Sequence, residues 1–230
     1  MNAYRKNAIW VGILFILCTA ASILGMTMGN SILSAPDYLA KLAANENKAI
    51  IAALFEVVWA ATGVGIAIGL YPVIRRFNRS LAIGSVAFRT IEGVFAVIGT
   101  LALLSLLTLS KGFLSGSPAD ISSGSLLIGM RDWAQSVLGI IFFMVGALMY
   151  YLVMYKSRII PRWLSGWGII GTVLGLAAVL AGAFNHNFLE GVGNTILNLP
   201  IGVQEMVLAV WLIVKGFNQK AIAALPVKQV

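Results

Sequence analysis

The sequence predicts an all-α fold, a polytopic membrane protein built as a bundle of six transmembrane helices. Two facts of composition and one pattern lead there. Of the 230 residues, 60% are hydrophobic and 10% charged, against about a quarter charged in a soluble domain. The mean hydropathy is +0.93, which implies more apolar surface than a water-soluble globule of this length can hide. The apolar residues also gather into six runs near the ~20 residues that a helix needs to cross a bilayer. A soluble enzyme, a disordered chain and a coiled coil are excluded, and the lipid bilayer is the first expected partner.

The runs cover approximately 8–28, 49–70, 81–109, 132–155, 163–184 and 199–215, and the chain 1–230 is expected to form a single integral membrane domain. The first run follows Arg5 and Lys6 as a signal peptide would. It is longer than a signal core of about 7–15 residues and no small-x-small cleavage site follows, so an uncleaved first span is expected. Arg75, Arg76 and Arg79 separate spans 2 and 3; Lys156, Arg158 and Arg162 separate spans 4 and 5; Lys215, Lys220 and Lys228 follow span 6. Lys41, Lys48 and Lys111 occupy the remaining connections, in the company of Asp37, Glu46 and Asp120. The positive-inside rule then puts both termini in the cytoplasm. The net charge of +8 is thereby explained by topology, and nucleic acid is not an expected partner. Trp10, Trp133, Trp163, Trp167, Tyr150, Tyr151 and Tyr155 lie near span ends, as interfacial aromatics do.

The two longer outer connections begin alike, with Ser34-Ala-Pro-Asp37 and Ser117-Pro-Ala-Asp120. Ser suits an N-cap, and Pro and Asp suit a first helical turn. After Ser34, residues Tyr38, Leu39 and Leu42 form one apolar stripe, which predicts a short helix on the outer surface. The motifs are 83 residues apart, and Gly63 with Gly146, Arg75 with Arg158 and Gly99 with Gly182 share that offset. A helical-hairpin duplication accounts for this, as does independent solution of the same capping problem. Gly25-x-x-x-Gly29, Gly65-x-x-x-Gly69 and Gly171-x-x-x-Gly175 allow close helix approach, within the monomer or in a homo-oligomer that nothing else indicates.

The chemistry lies in the ionisable residues inside the spans, which are costly there and face a bundle interior or a wet cavity. Glu56 is on span 2, Arg89 and Glu92 on span 3, Arg131 and Asp132 at the outer end of span 4 with Gln135 one turn on, and Glu205 on span 6. Counting about 1.5 Å per residue puts Glu56, Glu92 and Glu205 at one depth, within reach of Arg89. Four acids face two bases, so two acids must be protonated, solvated or neutralised by a bound cation. These seven residues are the candidate ligand-binding set, and no catalytic residue, metal ligand or cofactor is expected. The only histidine is His186, in Asn185-His186-Asn187. Bis-His haem and multi-His zinc sites therefore lack ligands. No lysine lies in a span core, and phosphate-binding glycine loops and nucleophile elbows are missing from the sequence. Cys18 is alone within the first run, so no disulfide is expected.

Several segments carry a family likeness. They are Glu56-Val-Val-Trp59, Arg89-Thr-Ile-Glu92, Ile160-Pro-Arg-Trp-Leu-Ser165-Gly-Trp-Gly-Ile-Ile-Gly171, Pro200 with Gln204-Glu205, and Trp211-Leu-Ile-Val-Lys-Gly216-Phe217. From about residue 5 to 218 the chain resembles the bacterial six-span membrane proteins catalogued as domain of unknown function 4386. The resemblance implies a bacterial cytoplasmic-membrane protein and carries no reaction or ligand with it. The expected function is binding or transport of a small polar ligand or cation through an outward-facing carboxylate–Arg cavity. The alternatives are a regulatory or stress-linked membrane module whose charges are structural, and a membrane enzyme using a Glu on a lipid-like substrate.

Overall fold

The computed structural model describes residues 3–114, 121–185 and 192–223. The helices are α1 (Ala3–Leu33), α2 (Tyr38–Ala44), α3 (Glu46–Ile74), α4 (Arg79–Leu114) and α5 (Ile121–Arg131). A π-helical segment (Asp132–Gly139) continues α5 into α6 (Ile140–Ser157). Then come α7 (Arg162–Phe184), α8 (Val192–Val214) and α9 (Gln219–Ala223). No strand occurs among the described residues. Six helical stretches are long and apolar enough to span a membrane: α1, α3, α4, the composite α5–π–α6, α7 and α8. All six predicted runs are therefore spans. Each carries apolar side chains outward, among them Ile23, Leu54, Leu101, Leu126, Ile170 and Val210, all more than half exposed. In water such a belt would aggregate; in a bilayer it is the lipid-facing surface.

Successive spans pack against each other, and α1 closes on α8, so the six form a ring. Small residues set the close approaches. A Cβ on Gly12 would lie 2.7 Å from the Ala209 carbonyl oxygen, and one on Gly171 would lie 3.1 Å from the Ile201 backbone. All three Gly-x-x-x-Gly pairs are spent inside the bundle: Gly25 and Gly29 face Glu56 and Arg131, Gly65 and Gly69 face Leu14 and Val11, Gly171 faces Ile201 on α8, and Gly175 faces Met144 on α6 and Asn198 on α8.

The two ends of the ring differ in charge. At one end Arg5 donates to the α8 carbonyls of Leu212 (2.9 Å), Ile213 and Val214 (3.1 Å), satisfying groups that a helix C-terminus leaves open. Arg76 bonds the Tyr4 hydroxyl at 2.6 Å, and the Asn218 N–H reaches the Ile159 carbonyl at 2.8 Å. The basic connections thus meet at one end. At the other end Lys111 pairs with Glu46, and Lys48 bonds Ser31.

Three expectations change. The predicted outer helix exists as α2 but begins after Asp37; Ser34 bonds back to Asn30 and so prolongs α1 instead of capping α2. Its Leu39 and Leu42 are buried across the ends of α1, α3 and α4. Span 4 begins about ten residues earlier than the apolar count placed it, because α5 runs into the π segment without a break. Arg131 is consequently well inside a helix and not at its outer end. Tyr150 and Tyr151 are not interfacial: both are fully buried, with ring centroids 4.5 Å apart. Ser117-Pro-Ala-Asp120 and His186 lie outside the described residues. As for the duplication, spans 1–3 and 3–5 share the pattern of sequential packing, whereas the π segment of span 4 has no counterpart in span 2.

Candidate functional site: two charged layers and a cavity

Two apolar cores lie along the bundle. The one nearer the Glu46–Lys111 end includes Ile32, Leu42, Ala52, Ala53, Leu103 and Leu106. The larger one reaches to the basic end and includes Trp59, Ala96, Tyr150, Leu164 and Leu208. Between Ala53 and Trp59 on α3, and between Ala96 and Leu103 on α4, sits the first charged layer.

Glu56 is its centre and is completely buried. Arg131 grips it with both arms of the guanidinium: Nη2 pairs with Oε1, and Nη1 donates to Oε2 at 3.0 Å. Nη1 also reaches the Gly99 carbonyl at 3.0 Å. Oε2 accepts further from Thr100 Oγ1 at 2.8 Å and from Gln135 Nε2 at 3.1 Å, and Gln135 is fixed in turn by the Ala96 carbonyl at 3.0 Å. A bidentate, charge-assisted pair with every oxygen satisfied is the strongest form of such contact. Missing side chains make the room: a Cβ on Gly29 would lie 3.2 Å from Arg131 Nη2, and one on Gly99 would run into Gln135. The π segment is what aims Arg131 and Gln135 together. Its wider turn changes the face that the helix presents, which is a frequent device at functional positions.

The second layer lies about two turns nearer the basic end. Arg89 is 2% exposed. It pairs with Glu92 at 2.7 Å, donates Nε–H to the Gly63 carbonyl at 3.3 Å, and stacks on the Phe143 ring at 4.7 Å. Gly63 on α3 and Gly146 on α6, which share the 83-residue offset, flank it; their Cβ atoms would lie 2.9 and 3.1 Å from its side chain. Glu205 completes this layer, within electrostatic reach of Arg89 and beside Tyr150. Its enclosed oxygen Oε1 and the Tyr150 hydroxyl have no hydrogen bond of proper geometry among the described residues. Next to it Gln204 is fully committed, accepting from Tyr151 at 2.5 Å and donating to the Leu164 carbonyl at 3.0 Å.

The expectation of one acidic layer around Arg89 is corrected. Glu56 belongs to Arg131; Arg89 serves Glu92 and Glu205. Gly63, the level of Arg89 on α3, is seven residues from Glu56, about 10 Å along the axis. The depth count failed because Arg131 came in from a longer span 4 than the apolar run suggested. Thr100, Tyr150 and the glycines around both arginines were not among the predicted site residues. Only their position on the faces of Glu56, Glu92 and Arg89 could have marked them.

A cavity of about 860 Å³ adjoins both layers. Its walls come from α1 (Ser22, Met26, Asn30), the π segment (Asp132, Gln135, Ser136) and α8 (Asn194, Asn198, Glu205), with Trp59 and Phe143 beneath. Helices α1 and α8 touch at Gly12, on the basic side of the cavity. Of the seven predicted residues, Arg131, Asp132, Gln135 and Glu205 line it, while Glu56, Arg89 and Glu92 stand behind the wall. Among the described residues no group of three His, Cys, Asp or Glu side chains is placed to hold a metal ion.

Comparison with curated proteins and with solved structures returns no match. A family model, domain of unknown function (DUF4386), matches residues 10–216. With six membrane-crossing helices and a match over nearly its whole length, the chain belongs to the DUF4386 family of integral membrane proteins.

Proposed function

We propose that this protein binds a small cation or a polar ligand bearing a cationic group in the α1–α8 cavity, and that the bound form serves uptake or sensing. One observation carries the reading: Glu205 lines the cavity beside Tyr150, and its enclosed oxygen Oε1 has no hydrogen bond of proper geometry among the described residues. A carboxylate withdrawn from water with incomplete hydrogen bonding is costly. A cation drawn from the cavity would remove that cost, with the amides and hydroxyls of Asn30, Asn198 and Ser136 to orient it. The cavity lies on the side of the Gly12 contact away from the basic connections, so under the positive-inside rule it belongs to the outer half of the membrane and both termini are cytoplasmic. A bacterial cytoplasmic membrane fits the family likeness.

The test is ligand-dependent melting of the detergent-solubilised chain with alkali cations, methylammonium, choline and spermidine. At least one should raise Tm saturably, and the rise should vanish in Glu205→Gln while the ligand-free Tm changes little. A panel without effect, or one acting equally on Glu205→Gln, sinks the proposal. The saturated Glu56–Arg131 pair favours a second role for part of the charge, a structural clamp. That fits a regulatory module if the cavity proves inert.

A further inference from the structure

A second pocket, of about 560 Å³, lies at the basic end where the α6–α7 and α8–α9 connections meet. Arg158, Arg162 and Lys215 line it, with Trp211 and the buried Phe217 as an apolar wall and Asn218 across the seam. The seam is held by the Asn218 N–H on the Ile159 carbonyl at 2.8 Å, and by the Asn218 side-chain amide on the Arg158 carbonyl at 3.3 Å. The pocket is thus formed by backbone-level contacts and does not depend on the cations that rim it.

Among the described residues these cations have no acidic counter-ion. Eight acids occur in the sequence, and none falls in 57–91, 133–189 or 206–230, the segments that carry the basic connections and the last two spans' basic ends. Among the described residues none of the three pairs with an acid; Arg162 only stacks on the Tyr155 ring at 5.4 Å. The C-terminal carbonyls of α8 are already occupied by Arg5. Three positive charges lining one pocket beside an indole, at the level where the spans end, match one chemistry. That chemistry is an anionic phosphodiester carried on an apolar tail.

We propose that this pocket binds the phosphate headgroup of an anionic phospholipid. Arg158, Arg162 and Lys215 hold the phosphate, and Trp211 packs against the glycerol and first methylenes. Guanidinium and ammonium donors suit phosphate oxygens. Each basic side chain near a membrane surface adds to the attraction for anionic lipid. The site is separate from the α1–α8 cavity and stands whether or not that cavity binds a cation.

The full chain, solubilised in a neutral detergent, is titrated with short-chain phosphatidylglycerol, short-chain phosphatidylcholine and inorganic phosphate, with Tm as the readout. Phosphatidylglycerol should raise Tm saturably, and the other two should not. In the Arg158→Gln/Arg162→Gln/Lys215→Gln variant the half-saturating concentration should rise about tenfold or more. A variant of equal charge loss outside the pocket, Lys6→Gln/Arg75→Gln/Arg79→Gln, should keep the parent value. Equal weakening in both variants reduces the effect to net charge and overturns the proposal. So does saturation by inorganic phosphate at the same concentration, or an unchanged response in the pocket variant. Because the substituted side chains are exposed, the lipid-free Tm of each variant should match the parent. If the pocket variant does not fold, Lys215→Gln alone should still raise the half-saturating concentration severalfold, and no rise overturns the proposal.

Discussion

Arg131 is the residue whose loss the fold should feel most. Among the described residues it is the one cation that Glu56 meets, and it also occupies the Gly99 carbonyl. Removing one partner of a buried pair strands the other charge, at about 3–5 kcal/mol. Arg131→Gln is therefore expected to lower stability by that amount in detergent unfolding. Glu56→Gln should cost less, since the new amide oxygen can still accept from Arg131, which keeps the Gly99 carbonyl and lines the cavity. The double change should recover part of the loss, a coupling that a double-mutant cycle measures directly. Additive effects would mean that the pair is worth nothing as a pair. Arg89 is cushioned differently. Its carbonyl and ring partners on α3 and α6 remain if Glu92 is changed, so Glu92→Gln should be milder than Arg131→Gln.

Among the helices, α1 meets α8 on the basic side of the cavity. Gly12 is the contact point. A methyl there would meet a carbonyl oxygen and Ile213, and overpacking of this kind costs about 1–3 kcal/mol. Gly12→Ala is expected to lower Tm. Gly129→Ala, on α5 with open space around the added carbon, should instead raise stability by about 0.5–1 kcal/mol, because Ala gives up less backbone entropy than Gly on folding. Equal effects at the two sites would show that α1 and α8 can part freely. The π segment is the other element-level device. It lets one continuous span aim Arg131 and Gln135 at the same carboxylate. No apolar run in the sequence announces it, because its residues differ from an α-helix in hydrogen-bond register and not in composition.

For the whole molecule, the asymmetric ends predict how it sits in the membrane. In a background of Cys18→Ala, single cysteines at Lys41 or Asn47 should react with an impermeant thiol reagent added outside sealed cells. Cysteines at Asn78 or Lys156 should react only after lysis. All four positions are exposed or near-exposed on the surface. Labelling at Asn78 in sealed cells would reverse the orientation, and with it the place of the cavity in the outer half of the membrane.

The sequence by itself determined the number of spans, their lipid-facing character and the charge difference between the two ends. Hydropathy and charge are local properties, and a bilayer reads them segment by segment. It also marked Glu56, Arg89, Glu92, Arg131, Asp132, Gln135 and Glu205 as interior, since ionised groups in spans avoid lipid. Only the tertiary structure decided who meets whom. Pairing depends on the rotation of each helix about its axis and on where each span starts. Residues 121–130 moved the start of span 4, a π turn rotated its face, and glycines at 29, 63, 99 and 146 opened the seats for the two arginines. One expected acidic layer thereby became two, with Arg131 answering Glu56, Arg89 answering Glu92, and Glu205 left facing the cavity.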